Sequence, residues 1–315
     1  MNTTDGIRTW VGSVVNVNDP LKANRVQVRI FGLHDTSTTN LKNDDLLWAL
    51  VEMPTTSAGV TGIGLTVHGL VPGSIVTLEF LDGINEQIPL VRGVILGIST
   101  TNGINAPFGD PSGKYPLKDR LNEPDVNRLG RNEKASSTYR ANKGSSGSVS
   151  SGSVSWSQPA DPYNAVYPNN KVIETTSGHV IEVDDTPGAE RLHIRHKSGT
   201  YTEYHPNGDI VHYTVGSEYS TSGPLNVFVK GNANLTVNGN ANTKINGNEN
   251  RTISGDLTET ISGNFTQNVT GSIKQSAGSS ASLVAGSSIT QNAGSSASLV
   301  ASGSVTINGS TVNIN

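Results

Sequence analysis

Two groups of side chains have the types and spacing that chemistry uses. Asp184 and Asp185 are adjacent carboxylates, the raw material of general acid–base catalysis. His193, His196, His205 and His212 fall within a span of twenty residues, a density suited to a metal centre. Neither group carries the chemistry through. Neighbouring residues on a strand point to opposite faces, so Asp184 and Asp185 cannot flank one bond, and the run DDTPG reads as a turn. The four histidines read as surface or packed structural residues. No G-x-x-x-x-G-K-[ST] phosphate loop or G-x-S-x-G nucleophile elbow occurs, and the serine-rich runs have no base at a fixed spacing. We therefore expect no catalytic residue, no cofactor site and no metal site: the chain is read as a non-enzyme.

The elements that hold these residues are strands. Residues 7–98 contain WVGSVVNV, RVQVRIFG, LLWALVEM, SIVTLEFL and LVRGVILG, short Val/Ile/Leu-rich runs separated by turn material at 18–20 and 82–83. Five strands of this length predict a small barrel over 1–98, an OB-fold first and an SH3-like barrel second. Trp10, Phe31 and Trp48 are assigned to its core rather than to a single-strand nucleic-acid groove. Arg25 and Arg29 are assigned to a solvated or partner-facing surface.

Residues 99–171 change character. Prolines recur, GSSGSVSSGSVSWS fills 144–157, and nine Lys/Arg stand against six Asp/Glu. This segment reads as an extended linker lying along a partner, anchored by Trp156, Tyr163 and Tyr167. The stretch 140–157 is where a protease would cut first. Residues 172–228 return to alternation in HVIEVDD, RLHIRHK, TYTEYHP and DIVHYTV, which reads as a neck built on a winding plan.

From 229 the chain repeats every eight residues. Val229, Val237, Ile245, Ile253, Ile261 and Val269 open successive octads, and Gly231, Gly239, Gly247, Gly255, Gly263 and Gly271 hold the third position. Alanine takes the opening slot at 277, 285, 293 and 301. An octad reads as one strand leg and one corner, with the glycine expected at positive φ. Phe265 is the one aromatic residue between 229 and 308, so a single chain cannot fill a wide solenoid core. Three copies wound about one axis need only one or two small apolar residues per layer, each contributing about 1.5–3 kcal/mol on burial. The repeat thus predicts an obligate homotrimer over 229–315, with ten layers of ~4.7 Å giving a shaft of roughly 50 Å. On its axis an inward histidine appears three times at one level. Residues 275–315 carry no ionisable side chain, and the unbroken octad frame argues for an ordered tip.

Composition bounds the rest. A net charge of −4 gives no footprint for nucleic acid, and the absence of cysteine excludes disulfides and thiolate metal sites and suits assembly in a reducing cytosol. No basic-then-apolar leader opens MNTTDGIRTW, and no run of eighteen apolar residues exists.

Residues 10–35, WVGSVVNVNDPLKANRVQVRIFGLHD, resemble the OB domain of the central spike proteins of contractile-tailed bacteriophages. LLWALVEMPTTSAG and PGSIVTLEFLDGINEQIPLVRGVILG continue that likeness to residue 97. ETTSGHVIEVDDTPGAERLHIRHKSGTYTEYHPNGDIVHY, residues 174–213, is similar to the segment shared by phage spikes and the VgrG spikes of type VI secretion. The octads resemble the shaft of the same family, so the likeness covers about 250 of 315 residues. It implies an all-β chain: an OB barrel, an extended linker and an intertwined triple-stranded β-helix. It also implies a virion protein, assembled in the host cytoplasm and located in the tail baseplate. There it docks on a trimeric hub under the tail tube and is driven through the target outer membrane when the sheath contracts.

Two departures shape the expectation. Some relatives carry a lysozyme domain between barrel and shaft, whereas 99–171 is too short and too Pro/Gly/Ser-rich for one. Others end in a His-X-His pair that binds iron, whereas the last histidine here is His212. The blunt STVNIN end points to a separate PAAR-type cap. The runner-up readings are a VgrG-type secretion spike, which normally has a hub-like domain ahead of the barrel, and a spike with peptidoglycan-hydrolase activity, which needs a catalytic insertion. A trimeric receptor-binding fibre leaves the OB barrel unexplained.

Overall fold

A computed structural model describes residues 8–61, 63, 65, 67–98, 120, 122–133 and 157–313. The chain divides into two units, 1–240 and 241–315.

The first unit opens with the barrel: β1 (Trp10–Asn16), β2 (Val26–Ile30), β3 (Trp48–Val51), β4 (Ile75–Phe80) and β5 (Pro89–Val94). Their order is β1-β2-β3-β5-β4, with β4 closing back on β1 and β3 running parallel to β5. That closure leaves no open edge. It is the OB-fold reading, and each expected run supplies one strand. Alternation along β1 and β4 sends Trp10, Val14, Val76 and Leu78 inward, where they meet Val26, Val28, Ile30, Ala49, Leu70 and Val91. Gly12 lets β1 cross β2 closely: a Cβ there would lie 2.6 Å from Val28 Cγ1 and 2.8 Å from the Arg29 carbonyl oxygen. Between β1 and β2, the Asp19 carboxylate gathers the backbone N–H groups of Leu21, Ala23 and Arg25 and the Arg25 guanidinium. These bonds hold its pKa far below the usual carboxylate range.

The neck is a five-stranded antiparallel sheet in sequence order: β6 (Asn170–Glu174), β7 (Val180–Asp184), β8 (Arg191–Arg195), β9 (Tyr201–Tyr204) and β10 (Ile210–Tyr213). It starts at Asn170, inside the segment read as linker. In this chain it is a meander of hairpins, where a winding plan was expected. The cause is local. Thr175–His179, His196–Thr200 and His205–Asp209 are three versions of one turn, each with a glycine (178, 199, 208) at φ between 88° and 101° and the same pair of backbone bonds. A three-residue loop ending in a left-handed glycine reverses a strand on itself. Thr186-Pro187-Gly188-Ala189 makes the remaining reversal, with Gly188 at positive φ and Ala189 N–H donating to the Thr186 carbonyl.

The octads behave differently. Among the described residues beyond β10 no strand is paired within the chain. Bends nevertheless recur at 230–231, 238–239, 246–247, 254–255, 262–263 and 270–271. They continue at 278–279, 286–287, 294–295 and 302–303. The corner keeps its place even where glycine moves from the third slot to the second, at Gly278, Gly286 and Gly294. One expectation is corrected: no octad glycine adopts the left-handed φ assigned to it from the sequence. The bend is made at other backbone angles, and a Cβ at any of the six third-position glycines from Gly231 to Gly271 would meet nothing within 4 Å in a single chain.

Candidate functional site

The neck sheet has two faces of opposite character, and the chain buries the polar one. Glu182 lies directly across from His193, and His193 directly across from Glu203. Arg191, one pleat along, donates to Glu182 Oε2 at 2.5 Å and to Glu203 Oε1 at 2.8 Å. His193 Nδ1 stands 3.0 Å from Glu203 Oε1, and His205 Nε2 stands 3.2 Å from Glu203 Oε2. Asn170 on β6 donates to Glu182 Oε2 and to the Leu129 carbonyl. All of these residues are buried. Burial opposes the charge on Arg191, but the two carboxylates outweigh it and hold the guanidinium pKa above its ordinary value.

Residues 122–133 and 157–168 cover this ladder. Tyr163 lays its ring 5.0 Å from the Arg191 guanidinium carbon and donates its hydroxyl to the Leu129 carbonyl. Gln158 donates to the Tyr201 hydroxyl, and Val166 N–H to Thr186 Oγ1. Leu129 and Ala165 are buried. The covering segment is itself cross-linked by Glu123, which takes Arg128 and Arg131 together. Those partners bring the Glu123 carboxyl down to about 2, the Arg128 hydrogen bond contributing most. Asp125 ties the segment to the barrel at Gly97, and Asn127 and Arg120 tie it to Glu174. The described parts of the expected linker before the neck sheet, 120, 122–133 and 157–169, therefore act as a bracket within their own chain. Tyr163 anchors it there, Tyr167 is exposed, and Trp156 lies outside the described residues, as does most of 140–157.

The opposite face is apolar and open. Ile173, Ile181 and Ile194 form one cross-strand row, and Val183, Leu192, Tyr204 and Ile210 form the next. Apart from the partly buried Leu192, each is 41–65% exposed. A soluble sheet ordinarily buries such a face and wets the charged one.

The sequence candidates land as follows. Asp184 is buried and accepts from Thr186 N–H, while Asp185 points outward to Lys171, so the two carboxylates do lie on opposite faces. His193 and His205 join the buried ladder. His196 is exposed beside Ser198 and His179, and His212 is exposed beside Thr202, so the four do not converge. Among the described residues no group of three or more His, Cys, Asp or Glu is placed to hold a metal ion, and no helix is long and apolar enough to cross a membrane. Trp10 is core, while Phe31 and Trp48 are partly buried, with the Arg25 guanidinium 5.6 Å from the Trp48 ring.

Arg29 corrects its assignment to a surface: it is fully buried and donates to the Asp35 and Leu41 carbonyls and to Asn43 Oδ1. A guanidinium fork satisfies three acceptors from one inward position, which is why an arginine serves here. The octad residues Val229, Val237, Ile245, Ile253, Ile261 and Val269 are 42–51% exposed, close to the low end for the large apolar residues of 229–313. Sequence reasoning missed the Glu182–Arg191–Glu203 ladder. Its signal was present in I-E-V-D, R-L-H-I-R and Y-T-E-Y, where every second residue is charged or hydrogen-bonding.

Residues 33–175 match the Gp5 N-terminal OB domain family. The barrel's closure and strand order thus have a known class. The chain is 34% identical over 265 residues to Protein Gp5 of Vibrio phage KVP40, covering 72% of this chain and 62% of that protein. It is 39% identical over 80 residues to the pre-baseplate central spike protein Gp5 of Enterobacteria phage T4, covering 25% of this chain and 14% of that protein. Residues 33–175 thus carry the OB domain of the Gp5 family, and the chain is similar to phage baseplate central spike proteins. It spans less than two thirds of the length of both relatives.

Proposed function

We propose that this chain is a non-enzymatic central spike of a contractile phage tail baseplate, working as a homotrimer. Its octads, 229–315, wind with those of two other copies into a triple-stranded β-helix, which follows the hairpin sheet of the neck along the chain. The observation that carries the trimer is the open apolar face of the neck sheet, followed along the chain by octads that bend every eight residues yet, among the described residues, form no strand pairing in their own chain. Unpaired backbone and half-exposed Val and Ile are stable only once other strands cover them. Two further copies supply those strands with closed symmetry and no leftover edge.

In this reading the barrel docks on a trimeric hub beneath the tail tube, and contraction drives the shaft through the target outer membrane. An interwound shaft cannot shed one strand without unpairing its neighbours, which suits a part that transmits force. The uncharged stretch 275–315 forms part of the same shaft. No residue takes a catalytic role: Glu182 and Glu203 are occupied by Arg191, Asn170 and the histidines, and Asp184 accepts the Thr186 N–H. Imaging intact particles carrying a tagged chain tests the placement. Density on the tail axis below the tube supports a spike; density at the tail periphery refutes it. A zymogram on peptidoglycan tests the absence of hydrolysis, and a cleared band from the purified chain overturns that part.

A further inference from the structure

Two imidazoles meet where β7 begins and β8 ends. The β7–β8 ladder closes on Val180 and Arg195, and the next residues out, His179 and His196, stand opposite each other. His179 turns its N–H and its carbonyl to Thr175, and His196 turns its N–H to the Thr200 carbonyl, so these backbone groups point away from the pair. That is the non-hydrogen-bonded arrangement, which brings cross-strand side chains closest. Alternation places both rings on the open face, beyond Ile181 and Ile194, while Arg195 goes to the buried face. The ring centroids are 4.5 Å apart and the planes are tilted by 60°.

Two imidazoles on one ion, each nitrogen ~2.0–2.1 Å from the metal, keep their centroids roughly 4.5–5.3 Å apart. The spacing here lies at the short end of that range. The tilt matters as much, because parallel-stacked rings aim their lone pairs alongside each other and tilted rings can converge them. His196 Nδ1 faces the turn, 2.8 Å from Ser198 Oγ and 3.1 Å from Ser198 N, which leaves Nε2 for a ligand. With Nε2 on a metal, Nδ1 carries the hydrogen and donates it to Ser198 Oγ, the outer contact that orients a ligating histidine. The longer bond from Ser198 N–H is given up. The His179 ring has no hydrogen bond or ion pair among the described residues. No third His, Cys, Asp or Glu joins the pair among those residues, so water keeps the remaining positions and the ion is exchangeable. Imidazole nitrogens select transition metals over Ca²⁺ and Mg²⁺, which take oxygen ligands.

We propose that His179 and His196 form a two-imidazole site for a divalent transition-metal ion of the Zn²⁺ kind, which pins the open end of the β7–β8 hairpin. The site is a property of the hairpin and is independent of the spike reading. The test is equilibrium dialysis of the untagged, metal-free, full-length chain against Zn²⁺, comparing wild type, His179→Asn, His196→Asn and, as a control at another exposed histidine, His212→Asn. The expected result is one ion per chain in wild type and His212→Asn, with either pair variant weakened about tenfold or more. Thermal melts without metal should be alike for all four chains, and Zn²⁺ should raise those of wild type and His212→Asn alone. Cu²⁺ bound in place of Zn²⁺ should show two nitrogen ligands by electron paramagnetic resonance in wild type. Failure of wild type to retain Zn²⁺ overturns the site. Equal retention by His179→Asn or His196→Asn overturns it too, because the ion is then held elsewhere, as does a Zn²⁺-induced rise shared by all four melts.

Discussion

Arg191 on β8 reaches diagonally to Glu203 on β9 at 2.8 Å, both buried, with Glu182 closing on the same guanidinium from β7. One arginine thus clips three strands and supports the Tyr163 ring of the covering segment. A buried cation stripped of a partner is costly, and so is a carboxylate pair stripped of its cation. Arg191→Met should therefore destabilise the neck by about 3–5 kcal/mol, leaving Glu182 and Glu203 uncompensated. Denaturant melts of the variant should show this, and a loss below about 1 kcal/mol would mean that water reaches the ladder.

Acid should weaken the barrel through two histidines. Burial pushes the His34 imidazole below its ordinary pKa, with Arg29 adding to the effect, and burial does the same to His68. In both, Nδ1 accepts a backbone N–H, from Ile30 and Leu70 respectively. A folded pKa below the unfolded one means that the unfolded chain takes up the extra protons. The stability is whole above about pH 6.5 and declines as pH falls below it. His34→Asn, whose Oδ1 can accept the same bond, should flatten part of that decline in melts recorded between pH 7.5 and 5.

A second acid step belongs to the bracket. The Glu123 carboxyl is held at about 2 by Arg128 and Arg131, so its contribution is present above its ordinary value of 4.5 and disappears as pH drops toward 2. Glu123→Gln should remove this lower step without altering the histidine step. Hydrogen exchange of 122–133, followed from pH 5 to pH 3, separates the two.

Gly12 allows β1 and β2 to approach. Gly12→Ala drives a methyl into Val28 Cγ1 and the Arg29 carbonyl, and the carbonyl is backbone that cannot rotate away. A loss of about 1–3 kcal/mol in barrel stability is expected, measured by chemical denaturation.

How much of this the sequence carried depends on range. The barrel was legible because its strands are dense in Val and Ile and its turns carry Asn-Asp-Pro and Asp-Gly signals; these are local properties. The eight-residue corner was legible for the same reason, down to its persistence at Gly278 and Gly286. The neck was only half legible. Alternation in 180–184 and 191–195 announced strands, but it does not say which face is buried. That depends on Leu129 and Tyr163, far along the chain, arriving to cover Glu182 and Arg191. Arg29 failed for a similar reason: a charged side chain on a strand reads as wet until the 35–43 loop is seen folding over it.

The trimer is the claim on which the rest depends, and the mass of the folded chain in solution tests it most directly. Sedimentation equilibrium across a wide concentration range, with hydrogen exchange on the same sample, should give three times 33.0 kDa and slow exchange throughout 229–313. A stable species of 33.0 kDa whose octads are equally protected would contradict it.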